Sequence, residues 1–275
     1  MYTTLILNSN NRVNKANTNE NDCEYYFDWS ALEQGKYKLT YSISKIFTAP
    51  PTAFETLIAT KVPWGMYKAG VFNSTTQLLT DLSGNGRDAV CGGVTLVSSL
   101  AGNGNTVPIA ALAGTALANI IWPPGSIPSN YTICGLTRYT NPASMGRLLA
   151  GFGTDNFNFG AYRGQQVTIY EGSTNTEACN RILPFASLNW INACAIRGTS
   201  ILAPNHVLIN GLPSGSNYLA STASARLAIN AYVDGPDRGE FEFGCVIIFD
   251  QPLTAAELVI VSDAIQTLLR TGFLK

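Results

Sequence analysis

The stretch Phe241-Glu-Phe-Gly-Cys-Val-Ile-Ile-Phe249, followed by Asp250-Gln-Pro-Leu-Thr-Ala-Ala-Glu257, decides the fold. Its first half is dominated by aromatic and β-branched residues and reads as a strand. Its second half ends in Thr254-Ala-Ala-Glu257, a capping box in which the threonine hydroxyl and the glutamate carboxylate satisfy the first free amides of a helix. Leu258, Val261, Ile265 and Leu268 follow at helical spacing until Gly272 supplies a stop. The unit is thus a strand leading into one helix whose apolar stripe packs on a sheet.

Working back from it, similar short runs recur between Gly, Asn, Pro and Ser clusters. They are Tyr131-Thr-Ile-Cys-Gly-Leu-Thr-Arg-Tyr139, Gln166-Val-Thr-Ile-Tyr170, Trp190-Ile-Asn-Ala-Cys-Ala-Ile196, His206-Val-Leu-Ile209 and Arg226-Leu-Ala-Ile-Asn230. Asn210-Gly211 is a hairpin turn signal, because both residues tolerate positive φ. Many short strands, regular turns and a single helix predict an all-β, antiparallel β-sandwich with a C-terminal helix over residues 64–275. Residues 1–47 form a separate zone: a strand at Thr3 to Leu7, an Asn-rich loop, and a short N-terminal β-hairpin around Gly35. Tyr25, Phe27, Trp29, Tyr37 and Tyr41 give that hairpin an aromatic face, which a few strands cannot bury alone. Residues 48–63, with Pro50, Pro51 and Pro63, read as a linker carrying one short element.

Composition narrows the partners. Charged residues are only 13% of the chain and the net charge is −1, so no basic surface for nucleic acid is expected. A surface built from Asn, Ser, Thr and Gly suits carbohydrate contact, tight protein packing or an assembled particle. The first residues lack a charged and an apolar region of the signal-peptide kind, so secretion by the standard route is not expected. The apolar-leaning stretch from Thr106 to Trp122 is broken by Pro108, Gly114 and Asn119, and no membrane span is expected. Six widely spaced cysteines with no C-x-x-C pair, and His206 as the sole histidine, argue against zinc. Cys134 and Cys245 lie in apolar runs and are expected as buried thiols.

Several phrases together resemble the laminin G/pentraxin/concanavalin A-like superfamily. Asp81-Leu-Ser-Gly-Asn-Gly-Arg-Asp-Ala89 is similar to its glycine turn, His206-Val-Leu-Ile-Asn-Gly-Leu212 to its strand and hairpin, and Phe243 to Glu257 to its last strand and helix. They cover residues 64–272 in the superfamily's order, which implies a concanavalin A-like jelly roll. Trp122-Pro-Pro-Gly-Ser-Ile-Pro, Tyr131 to Tyr139 and Arg147-Leu-Leu-Ala150 are similar to LamG-like proteins of protists and large DNA viruses. Thr4-Leu-Ile-Leu-Asn-Ser-Asn-Asn-Arg-Val13 with Gly35-Lys-Tyr-Lys-Leu-Thr-Tyr-Ser-Ile-Ser44 resembles the start of minor capsid or virion-surface proteins of large icosahedral DNA viruses. That resemblance implies a virion location, an attachment surface formed by Tyr25, Phe27, Trp29, Tyr37 and Tyr41, and capsid proteins and host glycans as partners.

Candidate chemistry is sparse. The superfamily's usual ion is calcium, and the residues that could hold it are Asp81 and Asn85 in the glycine turn and Asp155 in Gly153-Thr-Asp-Asn-Phe-Asn-Phe159. A structural turn, with Asp81 capping and Gly84 and Gly86 at positive φ, is the competing expectation and the preferred one. Phe157, Phe159 and Tyr162 sit near loops and are expected as an aromatic rim for a sugar, with core packing as the alternative. Glu20, Asp22 and Glu24 alternate as glycoside hydrolase carboxylates do, but lie outside the sandwich. Asp234, Asp237, Glu240 and Glu242 read as a turn into a strand, with Glu240 and Glu242 on its solvent face. His206 heads an apolar strand and reads as a packing residue. The sequence therefore predicts a binding or structural module and no enzyme, with no cofactor beyond calcium.

Overall fold

The computed structural model describes residues 50–100, 102, 105–153, 157–162, 165–166, 170–171, 181–182, 188–198, 205–217, 225–232 and 237–274. The chain divides into two units, Met1–Pro50 and Pro51–Lys275, and the second is treated by itself. The N-terminal hairpin and its aromatic face, Glu20, Asp22, Glu24, Asp155 and Asp234 lie outside the described residues.

Helix α1 (Ala53–Thr60) comes first. Strands β1 (Gly65–Lys68), β2 (Phe72–Asn73), β3 (Leu78–Leu79), β4 (Ala89–Gly92) and β5 (Thr95–Ser99) follow it. Then come β6 (Ile109–Gly114), β7 (Asn119–Ile121), β8 (Tyr131–Tyr139), β9 (Leu149–Gly151), β10 (Phe157–Phe159) and β11 (Ala161–Tyr162). After these lie β12 (Gln165–Gln166), β13 (Tyr170–Glu171), β14 (Arg181–Ile182), β15 (Ile191–Arg197), β16 (Asn205–Ile209) and β17 (Leu212–Asn217). β18 (Leu227–Ile229), β19 (Phe241–Phe249) and helix α2 (Ala255–Thr271) complete the described order.

Two antiparallel sheets form a sandwich. The first runs β17-β16-β15-β8-β19-β6-β5, with β1 beside β19 past the end of β6; the second runs β13-β10-β9-β18-β7-β4-β3-β2. A third, small sheet is β11-β12-β14. Tyr67, Trp122, Tyr131, Phe157, Phe159, Phe241 and Phe243 fill the space between the two large sheets. Burying each such aromatic side chain contributes roughly 1.5–3 kcal/mol. Strand β19 shows how one sequence serves two cores. Its ladder to β8 slips between Phe243 and Cys245, at Gly244, where an added Cβ would stand only 2.9 Å from the Leu136 side chain. A bulge of this kind reverses the side-chain alternation. Phe241 and Phe243 therefore face the second sheet with Val246 and Ile248, whereas Cys245, Ile247 and Phe249 face the helices.

The C-terminal helix forms as its sequence dictates. Thr254 and Glu257 close the capping box, Gly272 ends the helix at φ +77°, and Leu258, Val261, Ile265 and Leu268 are buried on the first sheet. The stretch read as a linker holds α1, which has a capping box of its own from Thr52 and Glu55. Its Phe54 and Leu57 join the same helix-side core, and Lys61 Nζ stands 2.9 Å from Glu257 Oε1. Cys91, Cys134, Cys194 and Cys245 are free and buried.

The alternation that places Glu242 opposite Phe241 and Phe243 is correct, but its face is not open to water. Glu242 is 8% exposed and pairs with Arg138 Nε at 2.8 Å. The expectation of a solvent face fails for Glu242 because the Ser99 hydroxyl and the Arg138 guanidinium, itself beside the Trp190 ring, close over its carboxylate.

Candidate functional site

The glycine turn resolves the first set of candidates. Asp81 Oδ1 accepts hydrogen bonds from the Met66 and Ser83 amides at 3.0 and 2.9 Å, and its Oδ2 accepts from Ser83 Oγ and the Arg87 amide at 2.8 and 3.2 Å. Asn85 Nδ2 donates to the Pro63 carbonyl at 2.9 Å. Gly84 and Gly86 take φ +84° and +68°. Asp81 thus ties the turn to β1 through Met66, and Asn85 ties it to Pro63 just ahead of that strand. Among the described residues no group of three or more His, Cys, Asp or Glu could hold a metal ion. Burial alone would raise the Asp81 carboxyl, but the hydrogen bonds from Met66, Ser83 and Arg87 outweigh it and hold the group below its ordinary value. A carboxylate so depressed stabilises the fold at pH above about 4, and this contribution is lost as pH falls through the lower folded value. Asp81→Ala should cost about 3 kcal/mol at neutral pH, and its deficit against the parent should shrink in acid. Denaturant unfolding at several pH values checks this, and a deficit independent of pH would refute the ionic account.

The aromatic rim is corrected in part. Phe157 and Phe159 are 2% and 0% exposed and pack in the core between the sheets, with Phe157 edge-on to Tyr131 at 6.1 Å. Their strand alternation turns both rings inward, so neither can meet a ligand. Tyr162 alone remains half-buried, and it has company that the sequence did not suggest. Its hydroxyl donates to Asp237 Oδ1 at 3.0 Å, while Arg147 Nε lies 3.0 Å from Asp237 Oδ2. The Arg147 guanidinium stands over the Tyr232 ring at 4.3 Å and over the Tyr162 ring at 5.6 Å. Arg147, Asp237, Tyr162 and Tyr232 thus form one cluster, drawn from the lead-in to β9, the lead-in to β19, the end of β11 and the exit of β18.

Backbone contacts build this cluster. The Arg147 amide donates to the Asp237 carbonyl at 2.8 Å and the Leu148 amide to the Ala161 carbonyl at 3.2 Å. Such an approach is open only to glycine. A Cβ on Gly146 would collide with the Asp237 carbonyl and the Arg238 backbone, and one on Gly239 would lie 2.7 Å from the Gly146 nitrogen. Asn230 then locks the segment. Held at φ +54°, it accepts from the Gly239 amide at 2.9 Å and donates to the Gly239 carbonyl at 2.8 Å. Beneath lies Tyr139, whose hydroxyl donates to the Gly146 carbonyl. Burial, then the neighbouring Tyr162 and Asp237, push that phenol well above its ordinary value, so it stays a donor.

No family model matches the chain, and no curated protein matches it. Solved structures do. A Trypanosoma rangeli sialidase in complex with sialic acid superposes with a TM-score of 0.53 at 14% identity, over 82% of this chain and 35% of the sialidase. The same sialidase with 2,3-difluoro-KDN gives a TM-score of 0.51 at 14% identity, over 80% of this chain and 34% of that one. Domain 4 of a GH43 extracellular arabinanase from Geobacillus stearothermophilus, in complex with arabinotriose, gives 0.53 at 14% identity, over 72% of this chain and 97% of the domain. The shared feature is the β-sandwich. The chain spans about a third of the length of the sialidases it matches. This overturns the expectation that the chain is no enzyme: the same sandwich occurs in chains named as sialidases and in a domain of an arabinanase, so the fold gives no ground for setting catalysis aside.

Proposed function

We propose that the sandwich makes glycan contacts, and that the Arg147–Asp237–Tyr162–Tyr232 cluster is where it does so. The observation that carries the reading is a guanidinium seated on two half-buried tyrosine rings and fixed by a buried carboxylate. Sugars present apolar C–H faces beside dense hydroxyls. Tyrosine supplies a flat apolar surface with a polar tip, and planar Arg and Asp groups supply donors and acceptors in fixed directions. The sugar-bound state of the sialidase and of the arabinanase domain with this fold adds weight to a saccharide as ligand.

Isothermal titration with arabinotriose and with sialyllactose tests the reading. Tyr162→Ala and Tyr232→Ala should each lower the affinity for the ligand that binds by about 10-fold, which corresponds to about 1.4 kcal/mol. Failure of both probes with the parent chain, or unchanged affinity in both variants, would sink it. Assaying the same mixtures for released monosaccharide reports whether contact leads on to hydrolysis.

A finer reading places this sandwich on a virus particle, attached through Tyr25, Phe27, Trp29, Tyr37 and Tyr41, with capsid proteins and host glycans as partners. Its support is the likeness of residues 4–44 to virion proteins and the charge-poor composition. Absence of the chain from purified particles by mass spectrometry would remove it.

A further inference from the structure

We infer that Cys134 and Cys194 are a preformed dithiol that closes into a cross-strand disulfide, tying β8 to β15 beneath helix α2. The two residues are direct partners in the β8–β15 ladder, so their side chains leave the sheet on the same face. Both belong to the helix-side core and both thiols are free. Directly opposed residues of an antiparallel pair have Cα atoms about 4.5–5.5 Å apart, inside the roughly 4.4–6.8 Å span of disulfides. The ladder spacing therefore puts the two residues within a disulfide's reach. A third thiol, Cys245, shares this face on the other side of β8, but its partner there is Leu136, and Cys134 faces Ile247. That makes Cys245 a diagonal neighbour of Cys134, about 7–8 Å away and out of bonding range. The geometry therefore selects one pairing out of three.

The fold also sets when the bond forms. Both cysteines are 0% exposed under α2, and burial, with the neighbouring Cys194 thiol adding, raises the Cys134 thiol far above its ordinary value. Thiolate is the attacking species, so the packed chain is inert. Closure belongs to the chain before α2 docks. There one thiol loses its proton and attacks oxidised glutathione, releasing one glutathione thiolate and leaving a mixed disulfide. The second cysteine, as thiolate, displaces the other glutathione. The protein loses two protons and two electrons, and the small disulfide is reduced to two thiols.

Refolding the full chain from denaturant with oxidised and reduced glutathione, then mapping peptides by mass spectrometry without reduction, tests this. A Cys134–Cys194 peptide is expected, with a melting temperature about 10 °C above that of the chain refolded in reductant. The Cys245→Ala variant should form the same bond. Overturning results are no cross-link, preferential pairing of Cys134 or Cys194 with any other cysteine, or a cross-linked chain that melts at or below the reduced one. Alkylation of the packed, reduced chain should leave Cys134 and Cys194 unlabelled, and rapid labelling of either would contradict closure before helix docking.

Discussion

Glu242→Ala is expected to destabilise the fold by about 3 kcal/mol, because it leaves the largely buried Arg138 guanidinium beside an empty space. Glu242 and Arg138 are directly paired across β19 and β8. The carboxylate accepts from Arg138 Nε at 2.8 Å and from the Ser99 hydroxyl, while Arg138 Nη1 donates to the Leu188 carbonyl at 3.0 Å. The Trp190 ring lies 5.6 Å from the guanidinium. One ion pair thus pins the edge strand β5 and the approach to β15 onto the central strands. Such a pair is worth far more to break than to own. Arg138→Met with Glu242→Leu replaces both charges by apolar volume, and it should recover most of the loss. Denaturant unfolding with an unchanged slope would measure both values. A single-variant loss below about 1 kcal/mol would show that the pair behaves as an exposed one, and a double variant as unstable as the single would show that the pair itself stabilises the fold beyond what apolar volume replaces.

The same residues show what the sequence could express. Tyr131 to Tyr139, Phe241 to Phe249 and the capped helix after Thr254 were legible because pattern, propensity and end signals agree there. Strand β6, Ile109-Ala-Ala-Leu-Ala-Gly114, carries no such signal. Its alanines have little strand preference, and it is extended because it fits between β5 and β19, where Gly114 lies against the Phe241 ring. Phe157 and Phe159 misled for the opposite reason. Gly and Asn around them suggest a loop, yet β9 and β13 pair with both sides of their short strand and turn the rings inward. The candidate cluster was half visible, in Tyr162. Arg147, Asp237 and Tyr232 are brought to it by backbone contacts between segments far apart in the chain, and sequence spacing holds no record of those. One local trace existed: Gly146 directly before Arg147 and Gly239 shortly after Asp237 mark a close backbone approach, although the sequence does not say of what to what.

Those glycines define the second large effect. Gly146→Ala should cost about 3 kcal/mol and weaken the proposed glycan contact at least about 10-fold, since the added methyl would meet the Asp237 carbonyl and force the two lead-in segments apart. The Arg147 amide would lose its bond to that carbonyl, and the guanidinium would lose its register with the Asp237 carboxylate. A comparison isolates the cause. Gly84 has φ +84° and open space around its missing side chain, so Gly84→Ala carries only the left-handed backbone penalty of about 1–2 kcal/mol. It should leave binding at the cluster unchanged. Gly146 is not in the left-handed region, so its penalty is the collision itself. Thermal unfolding and titration of both variants separate the two contributions. If Gly146→Ala is as stable and binds as well as the parent, the close approach does not hold the cluster together, and Arg147 and Asp237 must be fixed by Tyr162 and Asn230 instead.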